Sequence, residues 1–376
     1  MKPTAIFLYG TLCHAPLLKL VLGGEDPMLR PAVLKDHRVV WAKGEPFPLI
    51  LQESGADAEG LLLEAAEEAA LRRLDYYEQS LDCRLEPVEV LTDAGTVAAQ
   101  MFVHVEAGLT PGAPWVLQDW VDRWGPLTCL TAEEIMADMD ARPAADVARR
   151  FGPLRARAQA RLNARMAAPT TLRRSATPED VRLDQRSLVY SRFFSVEEYD
   201  FSHRKFSGEY GEQVNRSAFI SADAVTVLPY DPVRDRVLLV EQFRAGPYAR
   251  GDAQPWLLEP IAGRIDGGET PEQTARREAV EEAGLELTAL TLVGKYYPTP
   301  GAKSEFLFAY VATADLPDEA AGHLGGLEVE GEDIRSHVIS FDAAMALIDS
   351  GEINVGPLIL LLLQLARMRD ALRSAS

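Results

Sequence analysis

The segment from Gly263 to Leu285 constrains this chain more than any other, and it reads GRIDGGETPEQTARREAVEEAGL. Thr270 is suited to cap the start of a helix, Pro271 suits the first helical position, and Gln273 can close a capping box. Gly284 is suited to end the same helix. The sequence therefore predicts a glycine-bounded loop that runs into a short helix.

Carboxylates are concentrated in this loop and helix, at Glu269, Glu278, Glu281 and Glu282. Glu281 and Glu282 follow Glu278 by three and four positions, so these three carboxylates share one side of the helix. Like charges this close repel unless a cation neutralises them, and oxygen ligands of this kind suit Mg²⁺ or Mn²⁺. A solvated acidic helix face is the alternative interpretation of such a charge run.

The spacing of the segment resembles the signature of the Nudix hydrolases. That signature is a glycine, five residues, glutamate, seven residues, arginine-glutamate, an aliphatic residue, any residue, two glutamates, any residue, glycine and an aliphatic residue. Every fixed position is matched here, with the small Ala279 in the first aliphatic slot. The resemblance implies an α/β/α sandwich that cleaves a pyrophosphate with the help of a divalent cation.

Length, charge and cysteine content limit the other function classes. A chain of 376 residues suffices for two domains, each with its own core. Its net charge of −19 argues against nucleic-acid binding, which needs clustered Lys and Arg. Cys13, Cys83 and Cys129 are too few for a disulfide framework, which favours reduced thiols and a cytoplasmic location. No apolar run approaches the ~20 residues that span a bilayer, so no membrane association is expected.

A polar segment that contains proline divides the chain into two halves. We expect the fold of the whole chain to combine α+β and α/β architecture. We expect a first domain at 1–165, a linker at 166–180 and a second domain at 181–376. In the first half, hydrophobic patterning predicts strands at 5–8, 87–91 and 97–105 and a helix near 65–77. In the second half it predicts strands at 187–194, 218–229, 237–243, 292–297, 305–312 and 337–340, then two helices.

Beyond the signature, residues from about 183 to 370 resemble the ADP-ribose pyrophosphatase branch of the Nudix hydrolases. The similar phrases are YDPVRD (230–235), EQFR (241–244), PWLLE (255–259), PTPGAKSE (298–305) and EGEDI (330–334). Pro300 falls at the proline that separates ADP-ribose hydrolases from other Nudix enzymes. The resemblance implies hydrolysis of ADP-ribose to AMP and ribose 5-phosphate. Two alternatives stay open: another nucleoside-diphosphate sugar such as GDP-mannose, and a nucleotide-sugar sensor without catalysis.

The same resemblance implies a metal-binding set and a general base. The metal ligands would be carboxylates and one backbone carbonyl: Glu278, Glu282, Glu281, Glu269 and the carbonyl of Ala262. Glu281 would bind a second metal ion or hold the first in place, and Glu269 would also pair with Arg277. Glu330, or failing it Glu332, would take the proton from the attacking water.

Substrate contacts and assembly are also implied by the resemblance. Arg244 and Arg216 fall where that branch places guanidinium groups on phosphates or the terminal ribose, although a surface salt bridge is the alternative for each. Phe194 or Phe193 would stack on adenine, with plain core packing as the alternative. Enzymes of this branch are dimers whose first strands cross to the partner. Arg192, Phe194 and Arg216 lie in the corresponding stretch, so a homodimer is expected.

The first half begins with FLYGTL (7–12), a strand followed by a small-residue turn that suits a carboxylate ligand. Together with PFPLI (46–50), EGLL (59–62) and LRRLDYYE (71–78), it resembles the γ-glutamylcyclotransferase-like fold, a small β-barrel with flanking helices. The resemblance implies that Tyr9, Gly10, Thr11 and Leu12 bind a γ-glutamyl substrate. Glu78 would be the acid/base that forms 5-oxoproline.

One departure from that family leaves the role of the first half open. Gln79 stands where family members often carry a glycine after the glutamate. Catalysis, ligand binding without turnover and a dimerisation scaffold are all compatible with the sequence. The combination of the two modules is similar to two-domain proteins of the tellurite-resistance type, but no residue here explains such a role.

Overall fold

A computed structural model of the chain describes residues 4–105, 108–166, 168–328 and 331–375. The chain divides into two compact units, Met1–Met166 and Ala167–Ser376. Each unit has its own clusters of buried apolar side chains. Within the described ranges, no helix combines the length and apolarity that a membrane span requires.

The first unit is a β-barrel with helices. Its described strands are β1 (Thr4–Leu8), β2 (Leu29–Ala42), β3 (Pro48–Ala66), β4 (Cys83–Thr92), β5 (Gly95–His104) and β6 (Pro111–Pro114). Its described helices are α1 (Ala15–Val21), α2 (Glu68–Gln79), α3 (Leu117–Ala137), α4 (Ala144–Ala148), α5 (Phe151–Asn163) and the one-turn 3-10 helix Thr11–Cys13.

The barrel closes because β3 pairs with two strands at once. The order is β3-β1-β5-β4-β2, β2 pairs back to β3, and β6 adds to β2. Strand β1 is buried on both faces: Phe7 packs with Leu62 and Met101 inside the barrel, whereas Ile6 and Leu8 pack against the helices. This double burial explains the continuous apolar run of β1. The predicted barrel with helices is confirmed.

The second unit contains two sheets. Its described strands are β7 (Val181–Ser191), β8 (Ser195–His203), β9 (Val214–Ile220), β10 (Ala224–Asp231), β11 (Arg236–Phe243), β12 (Trp256–Glu259), β13 (Ile261–Arg264), β14 (Ala289–Tyr296), β15 (Leu307–Thr313), β16 (Leu324–Gly325) and β17 (Ile334–Ser340). Its described helices are α6 (Ala245–Arg250), α7 (Pro271–Ala283), α8 (Phe341–Ser350), α9 (Gly356–Ser374) and the 3-10 turns Pro178–Asp180 and Asp318–Ala320.

The larger sheet is the middle layer of an α/β/α sandwich. Its order is β14-β15-β10-β11-β17-β16, with β12 on β11 and β13 on β10. Helix α7 covers one face, where Ala275 and Ala279 pack with Val225 of β10. Helices α8 and α9 cover the other face through Phe341 and Leu361. The predicted sandwich is confirmed, and β10, buried along its whole length, is its central strand.

The smaller sheet has the order β7-β8-β9, and β7 is exposed at almost every position. The apolar run at 218–229 was predicted as one strand, which is wrong, because it contains the end of β9 and most of β10. Between them the backbone of Ser221 bonds to the hydroxyl of Ser304, at 2.9 and 3.1 Å. Ala222 is buried in this connection, so the apolar pattern continues across the change of sheet.

Candidate active site

Helix α7 begins and ends as its sequence predicts. The Thr270 hydroxyl accepts from the backbone N–H of Gln273 at 3.3 Å, and the Gln273 side chain accepts from the N–H of Thr270 at 2.8 Å. Gly284 ends the helix in the left-handed region, with φ of 62°. These caps fix where α7 begins and ends.

Glu278 and Glu282 lie between α7 and strand β13. Glu282 is 1% exposed, and its Oε2 accepts from the N–H of Ala262 at 3.3 Å. The Glu278 carboxylate lies directly over Gly263, where a Cβ atom would stand 1.9 Å from Oε1. Glycine is needed at this position because the carboxylate fills the space of a side chain.

Arg277 connects the carboxylates of the loop and the helix. Its guanidinium donates to Glu269 at 3.0 and 3.1 Å, to Glu278 at 2.7 Å and to Glu281 at 2.8 Å. It also donates to the carbonyl of Arg264 at 3.2 Å. The expected ion pair between Glu269 and Arg277 is therefore present, and the guanidinium of Arg277 bonds to three carboxylates.

The carboxylates are only partly neutralised. Burial raises the pKa of Glu278 to about 7; Arg277 offsets part of this rise, while the carboxylates of Glu281 and Glu332 add to it. Burial, followed by the charges of Glu278 and Glu332, raises the pKa of Glu282 well above its usual value. Without a further positive charge, these two carboxyl groups therefore favour the protonated form more than a free carboxyl group does.

The donor set fits a hard divalent cation without forming a complete cage. Among the described residues, no three His, Cys, Asp or Glu side chains already converge as a metal cluster. Mg²⁺ is usually held by one or two carboxylates together with waters and substrate phosphates, so a partial protein ligand set is sufficient. The carboxylates available for this role are the buried Glu282 and Glu278, whose side chain is 12% exposed.

The loop before β17, which contains Glu332, approaches helix α7. The Glu332 Oε2 accepts from the N–H of Leu327 at 3.1 Å, and its charge acts on both Glu278 and Glu282. Glu330, the first choice for the general base, lies outside the described residues. Of the two candidate bases, the structure therefore describes Glu332.

Arg244 is held by a partner that the sequence did not indicate. It occupies the N-cap position of α6, and its Nε donates to the Glu259 Oε2 at 2.7 Å. Burial raises the pKa of Glu259, and Arg244 partly reverses that shift. The positive charge of Arg244 also lowers the pKa of Glu282 in part. Glu259 was part of the PWLLE phrase, but only the pairing of β11 with β12 reveals its role.

Aromatic side chains from the β7–β8 turn and from β9 lie beside basic residues. The Phe194 ring is 4.7 Å from the Phe219 ring, and the Lys303 ammonium stands 6.0 Å from the Phe194 centroid. The Arg264 guanidinium lies 4.2 Å from the Phe193 centroid. Because Arg264 also contacts Arg277, this turn approaches the loop of the acidic helix.

The two other predicted substrate arginines are exposed. Arg192 follows β7 in the turn, where its N–H donates to the carbonyl of Phe194 at 2.8 Å. Arg216 lies on β9 and donates to the neighbouring carbonyl of Asn215 at 2.7 Å. In the described contacts, Arg216 shares no hydrogen bond or ion pair with the carboxylates of α7.

A second candidate site is a cavity of about 330 Å³ in the first unit. The turn after β1 lines it, and the residues concerned are those predicted: Tyr9, Gly10, Thr11 and Leu12, together with Glu78 of α2. The Tyr9 hydroxyl donates to the carbonyl of Phe102 at 2.8 Å, so it is already bonded to the wall. The structure thus brings all five predicted residues of this half to one cavity.

Glu78 begins a short hydrogen-bonded chain in that cavity. Burial raises the pKa of Glu78 to about 7, and a hydrogen bond from the Cys83 thiol lowers it in part. The Cys83 sulfur is 3.4 Å from Nδ1 of His104, its partner across β4 and β5. Cys83 and His104 were not predicted as site residues. Strand β4 begins at Cys83, before the strand predicted at 87–91, so the pairing of these two positions lies outside the predicted strand.

The capped acidic helix on an α/β/α sandwich defines the second unit as a Nudix domain, and the NUDIX domain model matches residues 221–357. The model described as gamma-glutamyl cyclotransferase, AIG2-like, matches residues 6–122. An ADP-ribose pyrophosphatase of Escherichia coli (strain K12) is 39% identical over 195 residues, which are 92% of that protein and 52% of this chain. The chain belongs to the Nudix hydrolases.

Other similar proteins align with about the same half of the chain. A GDP-mannose pyrophosphatase of Escherichia coli O1:K1 / APEC is 28% identical over 194 residues, covering 99% of that protein and 51% of this chain. A solved structure of an ADP compounds hydrolase, 22% identical, has a TM-score of 0.42 and covers 53% of this chain and all of that one.

Proposed function

We propose that the second unit hydrolyses ADP-ribose to AMP and ribose 5-phosphate with Mg²⁺ or Mn²⁺. The observation that carries this proposal is the position of two carboxylates against β13, the buried Glu282 and Glu278 with a side chain 12% exposed, in a relative of ADP-ribose pyrophosphatases. Their unbalanced charge favours a divalent cation and, through it, an anionic pyrophosphate. Pro300 lies where ADP-ribose hydrolases carry their marker proline, which supports ADP-ribose over GDP-mannose.

Each polar residue of the site has a distinct role in this proposal. Glu278, Glu282 and the carbonyl of Ala262 would hold the metal ion, with Glu281 beside them. The bound ion supplies positive charge to the phosphoryl oxygens and makes water more acidic. Glu269 would keep Arg277 in place and contribute to metal binding, which is consistent with its two bonds to that guanidinium.

Water activation requires a base outside the signature helix. Glu330 or Glu332 would accept the proton while the water oxygen forms a bond to phosphorus and the P–O–P bridge breaks. AMP and ribose 5-phosphate then leave with the two phosphates. The charge of Glu332 beside Glu278 and Glu282 supports a position near the reacting water.

The substrate would be held by basic and aromatic side chains. Arg244, kept in place by Glu259, suits a phosphate or the terminal ribose, because a guanidinium can form two parallel hydrogen bonds. Adenine would stack on Phe194 or Phe193, with Lys303 and Arg264 beside the rings. Arg192 and Arg216 are exposed, so any contact of theirs with substrate would involve the partner subunit.

The decisive experiment is a turnover assay of the full chain with Mg²⁺ and with ADP-ribose or GDP-mannose as substrate. We expect AMP release from ADP-ribose and a fall of about 10²- to 10³-fold in kcat for Glu282→Gln, because a buried ligand of the reaction's cation is lost. Glu286→Gln is the matched control, since Glu286 is exposed just beyond the same helix.

Full activity of Glu282→Gln would contradict the proposed metal site. If GMP release from GDP-mannose is faster than AMP release from ADP-ribose, GDP-mannose replaces ADP-ribose as the proposed substrate, and the proposed mechanism stays the same. No turnover of either nucleotide sugar would favour the sensor alternative.

For the first unit we propose acid/base cyclisation of a γ-glutamyl amine to 5-oxoproline. The observation in its favour is a buried carboxyl, Glu78, whose pKa of about 7 suits proton transfer near neutral pH. The α-amine of the substrate would attack the γ-carbonyl carbon, the γ C–N bond would break, and Glu78 would pass the proton to the departing amine. Tyr9, Gly10, Thr11 and Leu12 would line the substrate.

Glu78→Gln tests this second function. We expect the variant to release no detectable 5-oxoproline from a γ-glutamyl amine, because the amide cannot exchange the proton. A tryptophan fluorescence spectrum of the variant like that of the wild type shows that the first unit is folded, since Trp41, Trp115, Trp120 and Trp124 lie in it. Equal 5-oxoproline release by wild type and variant would remove Glu78 from the mechanism.

We further propose a homodimer formed through the β7-β8-β9 sheet. Strand β7 is at the edge of this sheet, and exposed apolar side chains occur along it: Val181, Leu183, Leu188, Val189 and Tyr190. An apolar, unpaired strand edge is a surface that soluble proteins usually cover. We propose that a second copy of the chain covers this edge of β7.

A further inference from the structure

Glu78 shares the cavity of the first unit with a buried thiol. Glu78, on α2, is 9% exposed, Cys83, at the start of β4, is 7% exposed, and both line the cavity. A carboxyl group can rotate about its side-chain bonds unless a neighbour holds it, whereas proton transfer requires one defined orientation. The groups that hold Glu78 therefore bear on its proposed role.

Strand pairing fixes the position of this thiol. Cys83 lies opposite His104 in the pairing of β4 with β5, and its sulfur is 3.4 Å from Nδ1 of His104. The His104 ring stacks on Phe47, with ring centroids 4.2 Å apart and planes at 30°. The barrel itself thus sets where the thiol stands, and no ligand is needed to place it.

The thiol is suited to donate a hydrogen bond and unsuited to act as a nucleophile. Burial, followed by the charge of Glu78, raises the pKa of Cys83 far above its usual value. A thiol that keeps its proton cannot attack a carbonyl carbon as a thiolate, but it can donate that hydrogen to a carboxylate. The bond that Cys83 makes to Glu78 favours the charged carboxylate and lowers the pKa of Glu78 in part.

The single hydrogen of the thiol determines the direction of the chain. With this hydrogen directed at Glu78, the Nδ1 of His104 is the protonated nitrogen and donates to the sulfur. The carbonyl of Leu81, 3.6 Å from the sulfur, is the competing acceptor.

Other titratable groups line the same cavity and contribute to the electrostatic environment of Glu78. They are Tyr77 on α2, Tyr9 after β1, Glu45 before β3, Asp82 before β4, His104 on β5 and Arg155 on α5. These groups are the same in all variants at position 83, so a difference between two such variants reports on the side chain at that position.

We propose that Cys83 is a positioning residue for Glu78: its thiol, fixed by His104, holds the carboxyl group in the orientation that proton transfer requires. This role rests on the cyclotransferase function proposed above. The thiol hydrogen carries the role, so a hydroxyl group can replace it, whereas a methyl group cannot.

Cys83→Ser and Cys83→Ala form a matched pair, because both lose the sulfur and they differ by one hydroxyl group. The titration of Glu78 is measured in the full chain as the pH dependence of the difference in unfolding free energy between each variant and the same variant with Glu78→Gln. We expect this titration to move to higher pH in Cys83→Ala, since the charged carboxylate loses a donor. In Cys83→Ser it should stay at the wild-type pH or below it.

Turnover of a γ-glutamyl amine measures the consequence for catalysis. For Cys83→Ala we expect kcat for 5-oxoproline release to fall about tenfold with KM unchanged, as one lost hydrogen bond to a charged group allows. Cys83→Ser should recover most of this loss. The acid limb of the pH–rate profile should move to higher pH in Cys83→Ala together with the titration of Glu78.

Cys129→Ala is the control for the removal of a thiol from the same unit. Cys129 is a partly buried cysteine of α3 that does not line the cavity. We expect this variant to match the wild type in both measurements.

The outcomes separate the role of Cys83 from the activity itself. Equal titrations of Glu78 in Cys83→Ser and Cys83→Ala, or an equal shift in Cys129→Ala, would overturn the positioning role. A γ-glutamyl adduct on Cys83, detected by mass spectrometry of a quenched reaction, would also overturn it, because the thiol would then be a nucleophile. The titration needs no turnover: separate titrations of the two variants without 5-oxoproline release by the wild type would confirm that Cys83 positions Glu78 and reject only the cyclotransferase activity.

Discussion

Arg277 and Glu78 are single residues that illustrate two ways to keep a carboxyl group in a protein interior. In the second unit, a guanidinium bonds three carboxylates, and burial still raises the pKa of one of them, Glu278, to about 7. In the first unit, Glu78 is buried among apolar and weakly polar neighbours, so it holds its proton to about neutral pH. The first arrangement suits cation binding, and the second suits proton transfer.

The pKa of Glu78 leads to a prediction about stability and pH. Burial raises this pKa from 4.5 to about 7, so the folded state binds the proton more tightly than the unfolded chain does. The stability of the first unit should therefore be highest below pH 4.5, fall as the pH rises to 7, and change no further from this cause.

Glu78→Gln removes the titration, so its free energy of unfolding relative to wild type should rise by about 3 kcal/mol between pH 4.5 and 7. Denaturant unfolding followed by tryptophan fluorescence measures this difference, since Trp41, Trp115, Trp120 and Trp124 are all in the first unit. Glu68→Gln, exposed on the same helix, is the control. A difference between variant and wild type that is equal at both pH values would contradict a buried, protonated Glu78.

At the scale of elements, α7 and β13 form one packed pair. The sequence predicts α7 well because its caps are local: Thr270, Gln273 and Gly284 act within a few residues of the helix ends. It does not predict that Gly263 lies beneath Glu278, because that contact depends on how the loop returns the helix to the strand.

Gly263→Ala tests this contact. The new Cβ would overlap the Glu278 carboxylate, so Glu278 must move while the pairing of β13 with β10 persists. We expect kcat for ADP-ribose to fall by about 10²-fold, because a displacement of about 1 Å at a reacting site has that effect. The thermal midpoint should change little.

Gly356→Ala is the control, because Gly356 begins α9 and has open space around it. Normal turnover by Gly263→Ala would show that Glu278 does not need its observed position.

Long-range strand pairing sets the limit of prediction from sequence. No strand was predicted within β2 or β3. β3 is exposed at 52–55, where polar residues interrupt the alternation, and a bulge opposite Asp36 shifts the register. Glu259, Cys83 and His104 were missed for the same reason, since each reaches its site only through pairing or packing with a distant element. The three carboxylates of α7 could be predicted as a group without such knowledge, because their spacing along one helix is local.

At the scale of the whole molecule, two units carry two separate sites. The aligned relatives cover about half of this chain, and the NUDIX domain model matches residues 221–357, which contain the acidic helix. The cavity with Glu78 and Cys83 lies in the other unit. The reactions proposed for them share no substrate, so each can be removed by mutation and assayed independently.

The proposed dimer gives a prediction at this scale. Val189→Asp places a charge on the exposed edge strand β7, where Val189 is 58% exposed. We expect sedimentation velocity to show a shift from dimer to monomer, because a buried unpaired charge is costly at an interface. Val233→Asp, 73% exposed in the turn between β10 and β11, is the matched control and should remain dimeric.

If the wild type sediments as a monomer at micromolar concentration, the role proposed for β7 is wrong. The same result for both variants would place the interface elsewhere.

The connection of β7 to the aromatic turn has a kinetic consequence. Phe193 and Phe194 lie in the turn after β7, and the guanidinium of Arg264, at the end of β13, lies against the Phe193 ring. Anything that orders β7 therefore also orders the surface proposed for adenine. If dimer formation orders β7, specific activity depends on the enzyme concentration. Dilution below the dissociation constant of the dimer should then raise KM for ADP-ribose before it lowers kcat.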